Sequence, residues 1–89
     1  MTQTTPAAGR TDRAEIAGWL TERVAAFLER PETEIDPDVE LVELGLDSVY
    51  ALTLCGDIEE QFGLAVEPTL PWDYPTVNAL AGYLADARR

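Results

Sequence analysis

The sequence predicts an all-α fold: a small four-helix bundle of three longer helices and one short helix, with a long loop between helices one and two. Apolar residues recur at helical spacing in three separate stretches, whereas no segment alternates between apolar and polar residues over a useful length. Prolines at positions 68, 71 and 75 leave room between them for one short helical turn only. The chain of 89 residues has the length of one domain.

The first predicted helix runs from Asp12 to about Leu28. Asp12 followed by Glu15 matches a capping pattern, in which side chains satisfy the free N–H groups at a helix start. Residues 1–11 are small and polar and show no period, so we expect them to form a flexible leader. The apolar stripe of this helix comprises Ile16, Trp19, Leu20, Val24, Phe27 and Leu28.

A long connection, residues 30–47, follows the first helix. Pro31 and Pro37 exclude a continuous helix there, and Asp36-Pro37-Asp38 is a turn signal. A loop of this length is unusual in a compact domain and is often functional. We expect four apolar residues to pin it onto the core: Ile35, Leu41, Leu44 and Leu46.

The second predicted helix begins at Ser48, which we interpret as its N-cap, and ends at Phe62, with Gly63 as its C-cap. Its inward face is predicted to carry Ala51, Cys55, Ile58 and Phe62. Cys55 is therefore interpreted as a small core residue.

One short helical turn is expected within residues 69–74, and Thr76 caps the last helix. The buried stripe of the last helix is predicted to be Val77, Leu80, Ala81 and Leu84.

The charge of the chain is strongly acidic, with 17 acids against six bases and a net charge of −11. Eight of the acids lie between residues 29 and 47. Such a surface repels nucleic acid and anionic lipid and favours basic protein surfaces as partners. No apolar run has the length of a membrane span, and no secretory signal is visible. With a single cysteine, these features predict a cytoplasmic protein.

The residues that the sequence lacks argue against intrinsic catalysis. It has no histidine and no lysine, so the usual bases that activate serine or cysteine nucleophiles are missing, as are histidine metal ligands. The acids Asp36, Asp38 and Glu40 alternate as in a calcium loop, but Leu41 stands where that loop needs glycine. If Ser48 is used chemically, another enzyme must supply the base.

Two segments carry a family resemblance. ELGLDSV (residues 43–49) precedes an amphipathic helix that ends at Gly63, and PTLPWDYPTVNALAGYL (residues 68–84) follows it. This combination resembles the acyl carrier protein family, particularly the carriers of polyketide synthases. The resemblance covers roughly residues 13–86, and it assigns residues 12–87 to an acyl carrier domain.

The resemblance implies a cofactor and a set of partners. In that family a phosphopantetheinyl transferase uses coenzyme A and Mg²⁺ to attach 4′-phosphopantetheine to a serine at the start of the second helix. Here that serine is Ser48, Asp47 is its motif neighbour and Gly45 is the motif glycine. The thiol of the arm carries acyl groups as thioesters to a ketosynthase, an acyltransferase or acyl-activating ligase and other synthase enzymes. The carrier itself is a non-catalytic substrate, expected to be a monomer.

Differences from the family pattern indicate where partners are recognised. Val49 stands where leucine is common, and Tyr50 and Thr53 occupy positions that are often acidic in fatty-acid carriers. Both differences favour a polyketide or related lipid pathway. The residues predicted to contribute to partner recognition are Val49, Tyr50, Asp57, Glu59, Glu60 and Trp72. Core roles stay open for Val49, Tyr50 and Trp72.

Other functions remain as alternatives. A fatty-acid-synthase carrier and a peptidyl carrier share the modified serine, although peptidyl carriers typically place Gly-Gly before it and this chain has Gly45-Leu46-Asp47. An acidic helical adaptor that is never modified and only binds a protein partner is the rival from another class.

Overall fold

The computed structural model describes the backbone of residues 7–88 and the side chains of residues 13–87. Within these residues the chain is all-α and contains no strand, which confirms the predicted fold class. The helices are α1 (Ala7–Leu28), α2 (Leu41–Leu44), α3 (Ser48–Phe62), α4 (Leu70–Asp73) and α5 (Val77–Arg88), with a 3-10 turn at Glu32–Glu34. The single turn α2, inside the long loop, was not predicted.

The first helix begins earlier than the sequence pattern indicates. α1 starts at Ala7, so Asp12 and Glu15 lie inside the helix and the predicted capping pattern is wrong. The alanines at positions 7 and 8 have the highest helix propensity, and no proline interrupts residues 7–28. The predicted leader is therefore helical from Ala7 onwards, and its remainder, residues 1–6, lies outside the described residues.

The stripe of α1 is mostly buried as predicted, with one exception at its C-terminal end. Ile16, Leu20 and Val24 are fully buried, whereas Phe27 is 44% exposed and Ala25 is buried in its place. Residues four apart drift around the helix axis because four residues exceed one turn of 3.6. By the last turn of α1, the side of the helix that faces the core therefore carries Ala25 and no longer Phe27.

The long loop is tied to the beginning of α5. The N–H of Leu41 donates to the carbonyl of Pro75 at 2.8 Å, and the N–H of Asn78 donates to the carbonyl of Pro37 at 3.0 Å. The side-chain amide of Asn78 also donates to the carboxylate of Asp38 at 2.7 Å. Because Asp36 accepts from the N–H of Asp38 at 2.9 Å, these acids stabilise a turn.

The apolar anchors and the last helix agree with the sequence prediction. Ile35, Leu41 and Leu46 are buried in the loop, and Leu44 packs partly buried against the core. Thr76 caps α5, since its hydroxyl oxygen accepts from the N–H of Ala79 at 3.0 Å. The predicted stripe of α5, which packs against α1, is fully buried: Val77, Leu80, Ala81 and Leu84.

Candidate functional site

Gly45 makes the turn between α2 and α3 and is required there by geometry. Its φ of 124° lies in a region that residues with a side chain rarely adopt. A Cβ atom at this position would lie 3.2 Å from the Cδ2 atom of Leu28, at the end of α1. Glycine therefore lets the loop pass close to α1 immediately before Ser48.

The N-cap of α3 is Asp47, so the prediction that Ser48 is the cap is wrong. Asp47 has extended backbone angles, and its carboxylate accepts from the N–H of Tyr50 at 2.8 Å. The first backbone bond of the helix runs from the N–H of Ala51 to the carbonyl of Asp47 at 2.8 Å. A carboxylate at this position also interacts favourably with the helix dipole.

Ser48 is consequently the first residue of α3 rather than its cap, and its side chain is exposed. The capping bond is made by Asp47, so the Ser48 hydroxyl is not needed for it. The N–H groups of Ser48 and Val49 have no acceptor within the helix, because the first N–H groups of any helix lack one. These groups fit a phosphodiester on Ser48, since a helix N-terminus stabilises negative charge.

An exposed apolar strip lies beside Ser48 on α3. Val49 is 70% exposed and Leu52 is 59% exposed, and residues three apart share one face of a helix. Trp72 on α4 is 47% exposed, which favours the recognition role over the core role for this residue. Sequence reasoning missed Leu52, although its position beside the inward Ala51 was a usable signal.

Tyr50 is a core residue, which contradicts its prediction as a surface recognition residue. It is 2% exposed, and its ring stacks on that of Phe27 with centroids 3.7 Å apart and planes at 14°. Burial raises the pKa of the Tyr50 phenol, and the carboxylate of Asp57 raises it further. The spacing of Tyr50, Leu54 and Ile58, each four residues apart, is the sequence signal that identifies this inward position.

The predicted acidic recognition residues differ in their exposure and in the hydrogen bonds that they make. Glu59 is exposed but uses one carboxylate oxygen to accept from the N–H of Val66 at 3.0 Å, so it also fastens the segment after α3. Glu60 is exposed, and Asp57 is partly buried. Glu60 is therefore the acid of this group that is best placed to meet a partner.

The thiol of Cys55 lies in the core as predicted. It contacts the carbonyl of Glu67, with its Sγ atom 3.5 Å from the oxygen. Burial raises the pKa of this thiol, and the carboxylate of Glu59 adds to the effect. The thiolate is disfavoured, so Cys55 is an unreactive packing residue.

A groove of about 200 Å³ lies at the opposite end of α3 from Ser48. It is lined by Glu15, Ile16, Trp19, Gln61 and Phe62. The 15 residues of α3 place it ~20 Å from the serine at 1.5 Å per residue. The groove is thus separate from the site around Ser48.

Neither a metal-binding cluster nor a membrane-spanning helix occurs in the part of the chain that the structure describes. No group of three or more acidic or cysteine side chains is arranged to hold a metal ion among these residues. None of the described helices combines the length and the apolar character needed to cross a membrane.

Comparison with known proteins identifies the family. The family described as "Phosphopantetheine attachment site" matches residues 18–84. One subunit of the phenolphthiocerol/phthiocerol polyketide synthase from Mycobacterium tuberculosis is 39% identical over 72 residues, which are 81% of this chain and 4% of that synthase chain. The chain therefore spans only a small fraction of this curated relative.

Two solved structures are similar throughout the fold. A free-standing peptidyl carrier protein from an uncharacterized Acinetobacter baumannii secondary metabolic pathway has a TM-score of 0.86 and 42% identity, covering 89% of this chain and 99% of its own. The HMG-ACPI domain of the CurA module from Lyngbya majuscula has a TM-score of 0.83 and 32% identity, covering 98% of this chain and 88% of its own.

Proposed function

The chain belongs to the phosphopantetheine attachment family. We propose that it is a carrier of the polyketide-synthase type and that Ser48 is the residue to which 4′-phosphopantetheine is attached. The observation that carries this proposal is the exposed Ser48 hydroxyl at the open N-terminus of α3. Bound there, the group supplies a thiol that holds acyl chains as thioesters.

The residues around Ser48 present the hydroxyl rather than activate it. Gly45 brings the loop close to α1, and Asp47 fixes the first turn of α3 through the N–H of Tyr50. The hydroxyl oxygen attacks the phosphorus of coenzyme A that bears pantetheine, the bond to the nucleotide breaks, and the hydroxyl proton leaves to a base. The chain has no histidine or lysine, so we assign that base to the transferase.

Carrier domains of this family are in general non-catalytic, and we propose the same for this chain. The side chains close to Ser48 in sequence are apolar or serve as caps, which supports a role as substrate of other enzymes. The proposed partners are a phosphopantetheinyl transferase, a ketosynthase and an acyltransferase or acyl-activating ligase.

The attachment is tested by intact mass after incubation with coenzyme A, Mg²⁺ and a broad-range transferase. We expect a gain of one phosphopantetheinyl group in the wild type and none in Ser48→Ala, because Ser48 is the only serine of the chain. Thr53→Ala is the matched control, since it removes another exposed hydroxyl from α3 and should leave the mass gain intact. An unmodified wild type with several transferases would favour the acidic adaptor.

We propose that partners dock on the exposed strip of Val49 and Leu52 and on the exposed Trp72 of α4, and that acids steer them. Glu60 is the acid to test, because Glu59 also holds the N–H of Val66 and its substitution would disturb the fold. A rim charge of this kind acts mainly on the association rate and is screened by salt.

Glu60→Gln is therefore expected to slow association with a transferase about twofold at ~0.01 M ionic strength, where the Debye length is about 30 Å. The difference should disappear at about 1 M salt. Stopped-flow fluorescence measures the rate, and Glu22→Gln, an exposed acid on α1, is the control. Equal rates for wild type and Glu60→Gln at low salt would remove Glu60 from the recognition surface.

A peptidyl carrier remains the second candidate, because the structural relative with 42% identity is described as one. The two functions differ in the enzyme that charges the thiol. Incubation of the phosphopantetheinylated protein with an acyltransferase and malonyl-coenzyme A, or with an amino-acid adenylating enzyme and ATP, separates them by intact mass. We expect acylation by the former.

A further inference from the structure

The hydroxyl of Tyr50 is buried without a hydrogen-bond partner. Among the described residues it is the buried side-chain oxygen that lacks one, and less than 1 Å² of it is accessible to water. An unsatisfied buried hydroxyl costs about 1–3 kcal/mol, and phenylalanine would give the same ring without that cost. The hydroxyl therefore needs an explanation beyond packing.

One of the residues that cover Tyr50 is an aromatic residue at a helix end. Phe27 stacks on Tyr50 at 3.7 Å, and yet it is 44% exposed, so its other side meets solvent. It stands on the last turn of α1, which ends one residue later at Leu28. Helix termini open at low cost, so we expect Phe27 to rotate away from the Tyr50 ring more easily than a residue in the middle of a helix would.

The position of Tyr50 and Phe27 relative to Ser48 indicates which group could accept a hydrogen bond from the Tyr50 hydroxyl. Tyr50 lies two residues after Ser48 in the first turn of α3, and Leu28 contacts the turn at Gly45 that leads to Ser48. Through the contact of Leu28 with this turn, a chain attached to Ser48 begins near the end of α1 that carries Phe27. Burial raises the pKa of the Tyr50 phenol and the charge of Asp57 raises it further, so the phenol stays protonated and can donate.

We propose that the Tyr50 hydroxyl donates a hydrogen bond to an oxygen of the acylated arm on Ser48 when Phe27 rotates away. The inference rests on the proposed attachment at Ser48. The acceptor chemistry is a carbonyl or hydroxyl oxygen, which occurs both in the amides of the pantetheine arm and in an oxygenated acyl group. A saturated alkyl cargo offers no such oxygen beyond its thioester.

The test compares wild type and Tyr50→Phe in four forms: unmodified, carrying the free-thiol arm, carrying butyryl, and carrying 3-hydroxybutyryl. The acyl forms are made with a transferase and the corresponding coenzyme A thioesters. Urea denaturation gives the unfolding constant of each form. In the unmodified protein, Tyr50→Phe should unfold with a constant about fivefold or more below that of wild type, because the unsatisfied hydroxyl is gone.

The loaded forms identify the acceptor. If an amide of the arm supplies the oxygen, the fivefold gap closes in all three loaded forms. If the thioester carbonyl supplies it, the gap closes in both acyl forms, and if the cargo hydroxyl supplies it, the gap closes only with 3-hydroxybutyryl. Tyr83→Phe is the matched control, since Tyr83 is a partly buried tyrosine that contacts another ring, and its effect should be equal in all forms. A Tyr50→Phe gap that is unchanged by loading overturns the proposal.

A second measurement needs no variant. In wild type labelled with ¹³C at the tyrosine ζ carbon, the Tyr50 signal should shift on loading, while those of Tyr74 and Tyr83 serve as internal references. Successful loading by intact mass with no Tyr50 shift contradicts this inference alone. A protein that cannot be loaded at all contradicts the proposed function itself.

Discussion

Two aromatic contacts join α1 to α3, one at each end of α3. At the Ser48 end, Phe27 and Tyr50 stack face to face at 3.7 Å, and Tyr50 is sealed from solvent. At the other end, Trp19 and Phe62 meet edge to face at 5.2 Å, are both partly buried, and line an open groove. The guanidinium of Arg23 lies 5.2 Å from the centre of the Trp19 ring.

The two ends also differ in how the helices terminate. α1 ends at the Ser48 end with Glu29 in the left-handed region, at φ 57°, and the N–H of Arg30 donates to the carbonyl of Ala25 at 2.9 Å. α3 ends at the other end with Gly63 at φ 68°, where a left-handed residue is unstrained. The Ser48 end thus holds both unfavourable features, a strained glutamate and an unsatisfied hydroxyl. Local costs of this kind concentrate at functional sites.

The largest expected difference between the two ends is their effect on the free energy of unfolding at alkaline pH. The pKa of the Tyr50 phenol is raised in the native state, while the unfolded phenol titrates near about 10. Below that pH both states hold the proton and no stability is lost. Above it the unfolded state releases its proton first, so the free energy of unfolding falls by about 1.4 kcal/mol per pH unit.

Urea denaturation between pH 10 and 11.5 should therefore show wild type losing about 2 kcal/mol more than Tyr50→Phe. The comparison with the variant removes the contribution of Cys55, whose raised thiol pKa acts with the same sign. The chain has no lysine, so few other groups titrate in this range. Parallel curves for the two proteins would mean that the phenol ionises freely in the native state.

Substitutions of the residues that end the two helices should change the free energy of unfolding by smaller amounts, with opposite signs. Gly63→Ala is expected to cost about 1 kcal/mol, and the cost is conformational because a Cβ there meets no atom within 4 Å. Glu29→Gly should stabilise the protein by about 0.5 kcal/mol, since it relieves the left-handed strain but adds freedom to the unfolded chain. Thermal unfolding followed by circular dichroism measures both. A loss of stability in Glu29→Gly would show that the glutamate side chain makes a compensating contact.

The elements that periodicity and local turn chemistry specify were predicted well. The four fully buried residues of α5, the cap by Thr76 and the left-handed Gly63 follow from residues that are neighbours in the sequence. The motif around Ser48 and the segment from Pro68 to Leu84 likewise identified the family that the comparison confirms.

The predictions that failed concern two situations. In one, two adjacent residues compete for the same capping position; in the other, burial depends on the helix that packs against the residue. Asp47 and Ser48 are both good caps, and only the geometry of the turn at Gly45 decides which side chain reaches the N–H of Tyr50. Tyr50 was assigned to partner recognition with a core role left open, because its side of α3 was judged without α1. The ring of Phe27 covers it in the folded chain.

The sequence by itself determined that the protein is a helical domain and that it has no histidine or lysine with which to activate Ser48. These properties are local or compositional, so they hold before any helix packs on another. The tertiary structure decided that the Ser48 hydroxyl is not the cap, that Tyr50 is sealed beneath Phe27, and that the strain collects at one end of the bundle. Burial and capping depend on which residues come into contact in the folded chain. The spacing of residues along the sequence does not give the distances between them in space.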